Sequence, residues 1–309
     1  MNDPDASFRL AAFERLRLLV QLHGGSLPWS VVNEGFVHEG ARIHFATKAE
    51  GIFKPAAMTG VLSVTTVVPR AGRRAWYHDQ LESEAKLAMA ADGLSYAFNG
   101  TDPDSRQNRL LRDARDRQLP IIYFFGVAPA IYEPIFPAYV VEWDPKALSV
   151  KLAPKPLADT ATLWTPPNPD ERRYALRQVK QRLHQSAFRE RVVAAYGGRC
   201  ALTGLPEVRL VDAAHIIPDG DVERGQPDIR NGICMSRLHH AAYDADLISI
   251  DPDHRIHISE RLLEQHDGPM LELGLKALKG QLIRMPREDL MKPDPDRLAV
   301  RFERFRKAA

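Results

Sequence analysis

Between residues 7 and 23 apolar side chains recur at helical spacing, at Phe8, Leu10, Phe13, Leu16 and Leu19. The pattern predicts one helix, ended by the His-Gly-Gly at 23–25. From about residue 28 to 152 the texture changes to short runs rich in β-branched and aromatic residues: RIHFAT, GVLSVTTVVP, LSYAFNG, PIIYFFGVAP and AYVVEWD. Turn residues bound each run, which predicts strands of a curved sheet or barrel. A helix over 105–117 interrupts them, and no internal repeat is visible.

Residues 153–170, APKPLADTATLWTPPNPD, hold five prolines. Such a stretch is stiff and extended, and it predicts the boundary between two domains, 1–152 and 171–309. The chain resumes with a helical pattern over 171–199, its apolar face at Leu176, Val179, Leu183, Phe188, Val192 and Val193. Gly197 and Gly198 end it. This segment carries eight Arg or Lys against two Glu. Its cations Arg172, Arg173, Arg177, Lys180, Arg182 and Arg189 are candidate phosphate contacts. A solvated basic helix face is the competing reading.

Bulk composition narrows the class without deciding it. A chain of 309 residues suits two domains, and 44% hydrophobic with 27% charged residues is ordinary for a globular protein. The net charge of +2 sets up no global field for nucleic acid, so only the local excess on the 171–199 helix bears on partners. Cys200 and Cys234 are the only cysteines. That excludes a disulfide framework and suits a reducing cytoplasm. The first residues carry early acids and lack the apolar core of a secretory signal. The longest near-apolar run, 121–132, is too short to span a bilayer. The expected location is the cytoplasm, with no membrane partner.

Chemistry concentrates further on. Five of the eleven histidines lie between 215 and 257: His215, His239, His240, His254 and His257. The run VRLVDAAHI (208–216) suits a strand ending near His215. A loop with Pro, Gly and Asp follows. Then NGICMSRLHHAAYDADLISI (231–250) reads as a turn at Asn231, a helix over about 234–245, and a strand. A neutral histidine can accept a proton near pH 7, since its ordinary pKa is about 6.5. His240 and Asp244 are four apart, so on a helix they share a face and can hold one cation. A mixed nitrogen and oxygen set suits Mg²⁺, Mn²⁺ or another transition metal. Asp212 lies three residues before His215, on the opposite face of a regular strand, and joins as a ligand only through a bulge. Asn231 is placed to fix the loop through its amide and so orient His215.

These segments together, C…TG…VDAAHIIPD…RNGI…LHHAAYDADLISI, resemble the HNH endonuclease family, whose fold is a ββα-metal finger. The resemblance covers about residues 171–300 and looks most like the HNH domain of bacterial restriction endonucleases. It implies that His215 is the general base, that Asn231 supports the site and that His240 binds a divalent metal. It also implies products with 5′-phosphate and 3′-hydroxyl ends. The chain departs from the family twice. The residue before the first histidine is Ala214 where many relatives have a metal-binding acid, which leaves that work to Asp244 or Asp212. Many relatives also hold a structural zinc, but here Thr203 and Ser236 stand at two of the four ligand positions, so no structural zinc is expected. Cys200 and Cys234 are then expected as buried small hydrophobes, and His239 as a packing residue or a backbone contact.

Residues 28–152 loosely resemble SRA-type and PUA-like barrels, which flip a modified cytosine into a pocket. The resemblance implies an α+β chain, with an SRA/PUA-like curved β-barrel joined to a C-terminal ββα-metal nuclease domain. Such a pocket needs aromatic faces and polar groups to read a base edge. Tyr77, Asp79, Tyr96 and Phe98 supply those types, though alternating aromatics on a barrel also serve as core. Lys54, Arg70, Arg73 and Arg74 are further candidates for phosphate. The function that this predicts is a modification-dependent restriction endonuclease acting on double-stranded DNA, directed to 5-methyl- or 5-hydroxymethylcytosine. A homodimer is a further expectation, because one ββα core holds one active site. The alternatives are an HNH nuclease reading unmodified DNA and an inactive DNA-binding module.

Overall fold

The structure is a computed structural model describing residues 3–68, 93–155, 165–221, 223–266 and 268–308. By its contacts the chain divides into two compact units, Met1–Ser186 and Ala187–Ala309. The division falls inside a long helix, whereas the sequence reading put a boundary in the proline-rich stretch 153–170.

The first unit begins with helix α1 (Ala6–His23), as its apolar spacing predicts. Its strands are β1 (Leu27–Pro28), β2 (Phe36–His38), β3 (Ala41–Ile43), β4 (Ile52–Phe53), β5 (Ser63–Thr66), β6 (Leu94–Ala97), β7 (Ile121–Ala128), β8 (Ile131–Asp144) and β9 (Ser149–Pro154). Helix α2 (Arg106–Asp116) follows β6, with the Ser105 side chain accepting from the Asn108 N–H as its cap. One curled mixed sheet runs in the order β4-β5-β7-β8-β9-β6, with β1 added on β8. The β5–β7 pair is parallel and its other pairs antiparallel. Among the described residues β4 and β6 are the ends of this order, so the sheet is not closed into a barrel.

Alternation along β7 explains its unbroken apolar run. Ile122 and Phe124 face a cluster with Phe13, Leu16 and Leu19 of α1. Ile121, Tyr123 and Val127 face a second cluster with Leu111 of α2. Covered on both sides, the strand has no polar face to display. Arg9 ties α1 to this sheet. Its guanidinium, fully buried, donates to the carbonyls of Val61 and Pro120 at 2.7 and 2.9 Å and to Asp3 Oδ2 at 2.9 Å.

Helix α3 (Pro169–Ala195) starts two residues before the predicted position. Asn168 is its cap: Oδ1 accepts the N–H groups of Asp170 and Glu171, and Glu171 Oε2 reaches back to the Asn168 N–H. This reciprocal box, followed by a proline in the first turn, sets the start. Leu176, Val179 and Leu183 pack in the first unit; Phe188, Val192 and Val193 belong to the core of the second.

In the second unit β10 (Val211–His215) pairs antiparallel with β11 (Gly232–Ser236), and helix α4 (Arg237–Asp244) follows directly. The predicted helix over 234–245 is therefore corrected: its first part is a strand. All five residues of β11 are buried, so the run GICMS shows no alternation to betray its period. Strands β12 (Ile248–Ile250) and β13 (Ile256–Ile258) form a second antiparallel pair, and helix α5 (Pro295–Ala308) packs against β12.

Candidate active site

The site grows from the β10–β11–α4 unit. His215 ends β10 opposite Gly232, and its ring stacks on Phe188 of α3 with centroids 4.0 Å apart and planes 15° from parallel. Gly232 makes that stack geometrically possible. A Cβ there would lie 2.4 Å from Val192 Cγ2 and 2.8 Å from Phe188 Cζ. His215 Nε2 is buried with no hydrogen-bond partner among the described residues. Leaving a buried polar atom unpaired costs about 1–3 kcal/mol, so stacking, not hydrogen bonding, fixes this ring. Burial depresses the His215 pKa below the ordinary histidine value, against the pull of Asp219, Asp244 and Asp212. The ring is neutral near pH 7, the form that can accept a proton.

Asn231 is fully buried just before β11. Its Oδ1 accepts the Ile217 N–H at 2.9 Å, and Nδ2 donates to the carbonyls of Ile217 and Gln226 at 2.9 and 3.2 Å. Its own carbonyl accepts from Ile216 at 2.9 Å. The amide thus pins both ends of the loop that leaves His215.

Helix α4 is capped by Ser236 and packs against β10. His240 Nε2 lies 3.3 Å from Asp244 Oδ2, one turn on, while Nδ1 lies 3.8 Å from Asp212 Oδ2. The imidazole therefore sits between two carboxylates, Asp212 first and then Asp244, which raise its pKa against burial. Strand β10 is regular in register, with no bulge at Asp212, so that side chain meets α4 from the strand. Among the described residues no three His, Cys, Asp or Glu side chains surround one point. Asp212 faces the ring nitrogen opposite the one near Asp244. Its own pKa is lowered despite burial by His240, the Ala213 N–H and Arg189.

Arg189 was expected on DNA, but its guanidinium is occupied inside the protein. Nε lies 3.3 Å from Asp212 Oδ1, Nη1 donates to Glu190 at 2.7 Å, and Nη2 donates to the carbonyls of Val208 and Val211 at 3.2 and 3.0 Å. The remaining basic candidates of α3 lie on its earlier turns. Arg173, Arg177 and Arg182 are exposed and Arg172 and Lys180 half-buried; Arg173 lies 3.2 Å from Asp170 and Arg182 3.7 Å from Glu133.

Beside the site, the positions read as degraded zinc ligands form a hydrogen-bonded cluster. Cys200 Sγ accepts the Ser236 N–H at 3.2 Å and meets His239 Nδ1 at 3.5 Å. His239 Nδ1 also lies 2.6 Å from Ser236 Oγ, and Nε2 donates to the Gly274 carbonyl at 2.8 Å. Burial would raise the Cys200 pKa, but His239, Thr203 and Ser236 outweigh it and bring it down to about 6. His239 is shifted upward: burial opposes, and Cys200 and the Gly274 carbonyl prevail. Cys200 is thus not the inert apolar filler that was expected. Cys234 is, with burial pushing its thiol up to about 12.

Helix α5 grips the end of α4. Arg301, 3% exposed, donates to the Tyr243 carbonyl, pairs with Asp246 at 3.0 Å and covers the Tyr243 ring at 4.5 Å. Arg304 pairs with Asp246 at 2.8 Å and donates to the Asp244 carbonyl at 3.4 Å.

Of the four residues named for a base pocket, two lie among the described residues. Tyr96 and Phe98 are buried in the core of the first unit, Tyr96 edge-on to Tyr123 and Phe98 against Trp143. Tyr77, Asp79, Arg70, Arg73 and Arg74 lie outside the described residues. The Lys54 ammonium donates to the carbonyls of Pro55 and Met58. Among the described residues no helix is long and apolar enough to cross a membrane.

Among solved structures, a chain titled "Modification dependent TagI restriction endonuclease" is similar at 13% identity and a TM-score of 0.30, over 79% of this chain and 81% of that one. A TM-score that low carries no argument about fold or substrate. No curated protein matches the sequence. The family described as HNH endonuclease matches residues 200–251, a span that contains β10 with His215, β11 and α4 with His240 and Asp244. The protein therefore carries an HNH domain, the domain of a DNA endonuclease.

Proposed function

We propose that the unit Ala187–Ala309 hydrolyses phosphodiester bonds of DNA, and that the chain is a modification-dependent restriction endonuclease directed to 5-methyl- or 5-hydroxymethylcytosine. The observation that carries the nuclease reading is His240, set between Asp212 and Asp244 on a helix packed against the strand that ends at His215. His240 Nε2 and Asp244 Oδ2, 3.3 Å apart, would both be within reach of one small cation. Asp212 on Nδ1 orients the ring and leaves the Nε2 lone pair available. His240 and Asp244 would hold Mg²⁺ or Mn²⁺, with other transition metals also suited to the donors, and Asp212 acts through His240. When bound, the cation supplies positive charge to a phosphate that gathers negative charge. His215, neutral because it is buried, takes the proton of the attacking water. Asn231 holds the loop beyond His215, and Arg189 holds Asp212.

An HNH core alone is not selective, so the unit Met1–Ser186 is assigned the reading of DNA. What supports a modified base is the loose sequence resemblance of residues 28–152 to SRA-type and PUA-like barrels. One ββα core holds one site, so a double-strand break takes a homodimer or two sequential nicks.

A cleavage panel tests this reading: methylated, hydroxymethylated and plain plasmid, each with Mg²⁺, Mn²⁺ or chelator, for the parent and His215→Ala. Chelator is expected to abolish cutting, and His215→Ala to slow it by about 10²–10⁴-fold while DNA binding persists. Equal cutting of the three plasmids removes the modification reading. Undiminished cutting by His215→Ala removes the general base.

A further inference from the structure

The first unit holds a cleft of about 780 Å³ between α1, β8 and α3, which takes no part in the phosphodiester chemistry proposed above. Its lining includes the apolar Ile135, Phe136 and Val179 and the cations Arg17, Lys155 and Arg182, with Lys155 Nζ also donating to the Thr165 carbonyl at 2.7 Å. Gln21, Gln178, Gln181 and Gln185 add four carboxamides, and neither Asp nor Glu lines it.

One of the cations is built into place. Arg182 Nη1 lies 3.7 Å from Glu133 Oε1, and Glu133 is 2% exposed. The hydroxyls of Ser26 and Ser186 both donate to Glu133 Oε2 at 3.1 Å. Withdrawing a carboxylate from water is costly, and an arginine on an ordinary helix surface needs no such support. Its effect here is to hold one guanidinium against the cleft wall.

A ligand matched to this lining has three parts: an anionic group for the cations, an edge of donors and acceptors for the carboxamides, and a flat apolar face for the apolar side chains. Inorganic phosphate satisfies only the first part and an acyl chain only the last. We propose that this cleft binds a nucleotide, its phosphate at Arg17, Lys155 and Arg182, its base edge at the glutamines and its ring face on the apolar side chains. The nucleotide is either one unit of a DNA strand or a free nucleoside monophosphate. Only the DNA source rests on the nuclease reading.

The test uses the full chain in chelator, with two probes. One is dCMP and its 5-methyl form, followed by saturation-transfer NMR; the other is a fluorescein-labelled 16-base-pair duplex, followed by anisotropy. The variants are Arg17→Glu, at a half-buried position, and Gln181→Ala, at an exposed one, with thermal melts to confirm folding. Arg17→Glu is expected to weaken binding at least tenfold, Gln181→Ala severalfold, and Arg17→Lys to restore most of it. Competition between dCMP and the duplex identifies a DNA nucleotide as the occupant; dCMP binding that leaves the duplex in place identifies the free nucleotide. The proposal is overturned if the parent binds neither probe, or if the parent and both variants bind alike. Plasmid cleavage is scored separately. A chain that binds dCMP through Arg17 but cuts no DNA keeps the cleft and loses the nuclease reading; one that cuts normally with unaltered binding in the variants does the reverse.

Discussion

Gly232 lies opposite His215 in the β10–β11 pairing, and the absence of a side chain there lets Phe188 reach the imidazole. Gly232→Ala forces a Cβ into Val192 and Phe188, which are themselves buried. Overpacking of this kind costs about 1–3 kcal/mol. A lower melting temperature and slower cutting are expected together, and a variant that melts and cuts like the parent shows that the stack does not set His215. The Cys200–His239 contact gives a second expectation at this scale. The folded-state pKa of Cys200 is lowered to about 6, so the thiolate contributes stability above the unfolded thiol's range, and that contribution is lost as pH falls through about 6. His239 is raised, so its contribution is complete below its unfolded value and fades as pH rises through the folded one. Between pH 6 and 8 the melting temperature of the parent should rise relative to Cys200→Ser. A constant gap across that range contradicts a folded thiolate.

Helix α3 shows how one element serves two ends. Its apolar stripe was readable because it is local, while its start at Pro169, set by the Asn168 cap, fell two residues before the predicted one. The function of its cations was not, because their partners are distant in sequence: Arg189 meets Val208, Val211 and Asp212. A lysine cannot reproduce a guanidinium that bonds on three sides. Arg189→Lys is therefore expected to lower kcat at least about tenfold with DNA Kd changed less than about twofold. A phosphate contact predicts the opposite, a weakened Kd with kcat kept. Helix α5 makes the same point. Its amphipathic pattern suits a helix, but nothing near Arg301 or Arg304 announces that they clamp Tyr243, Asp244 and Asp246 at the end of α4.

Over the whole molecule the net charge of +2 leaves DNA affinity to local cations. Arg189 and Arg191 are engaged inside the second unit, the latter with the carbonyls of Ala187 and Pro227. Arg172, Arg173, Arg177, Lys180 and Arg182 remain as candidates on α3. Each phosphate contact lowers log affinity by about 0.9 per unit of log salt, so these five predict a slope no steeper than about −4.5 from this helix. Anisotropy between 50 and 300 mM salt measures it. A flat response excludes α3 from the interface, and a loss of slope on replacing Arg177 and Lys180 together places it there.

By itself the sequence determined the elements whose period matches their burial. Helices α1, α2 and α5 each have one apolar face, and the runs of β7 and β8 could be read as strands from their β-branched and aromatic content. It also set the spacing of the candidate residues His215, Asn231, His240 and Asp244, because loop and helix spacing are local properties. Tertiary structure decided the rest. Strand β11 was hidden because burial on every residue erases alternation. The place of Asp212 beside His240 depended on packing a helix against a strand, and the core positions of Tyr96 and Phe98 depended on which face of β6 the sheet covers. Pattern reports whether a side chain is turned toward the interior; only the packed chain fixes what it meets there.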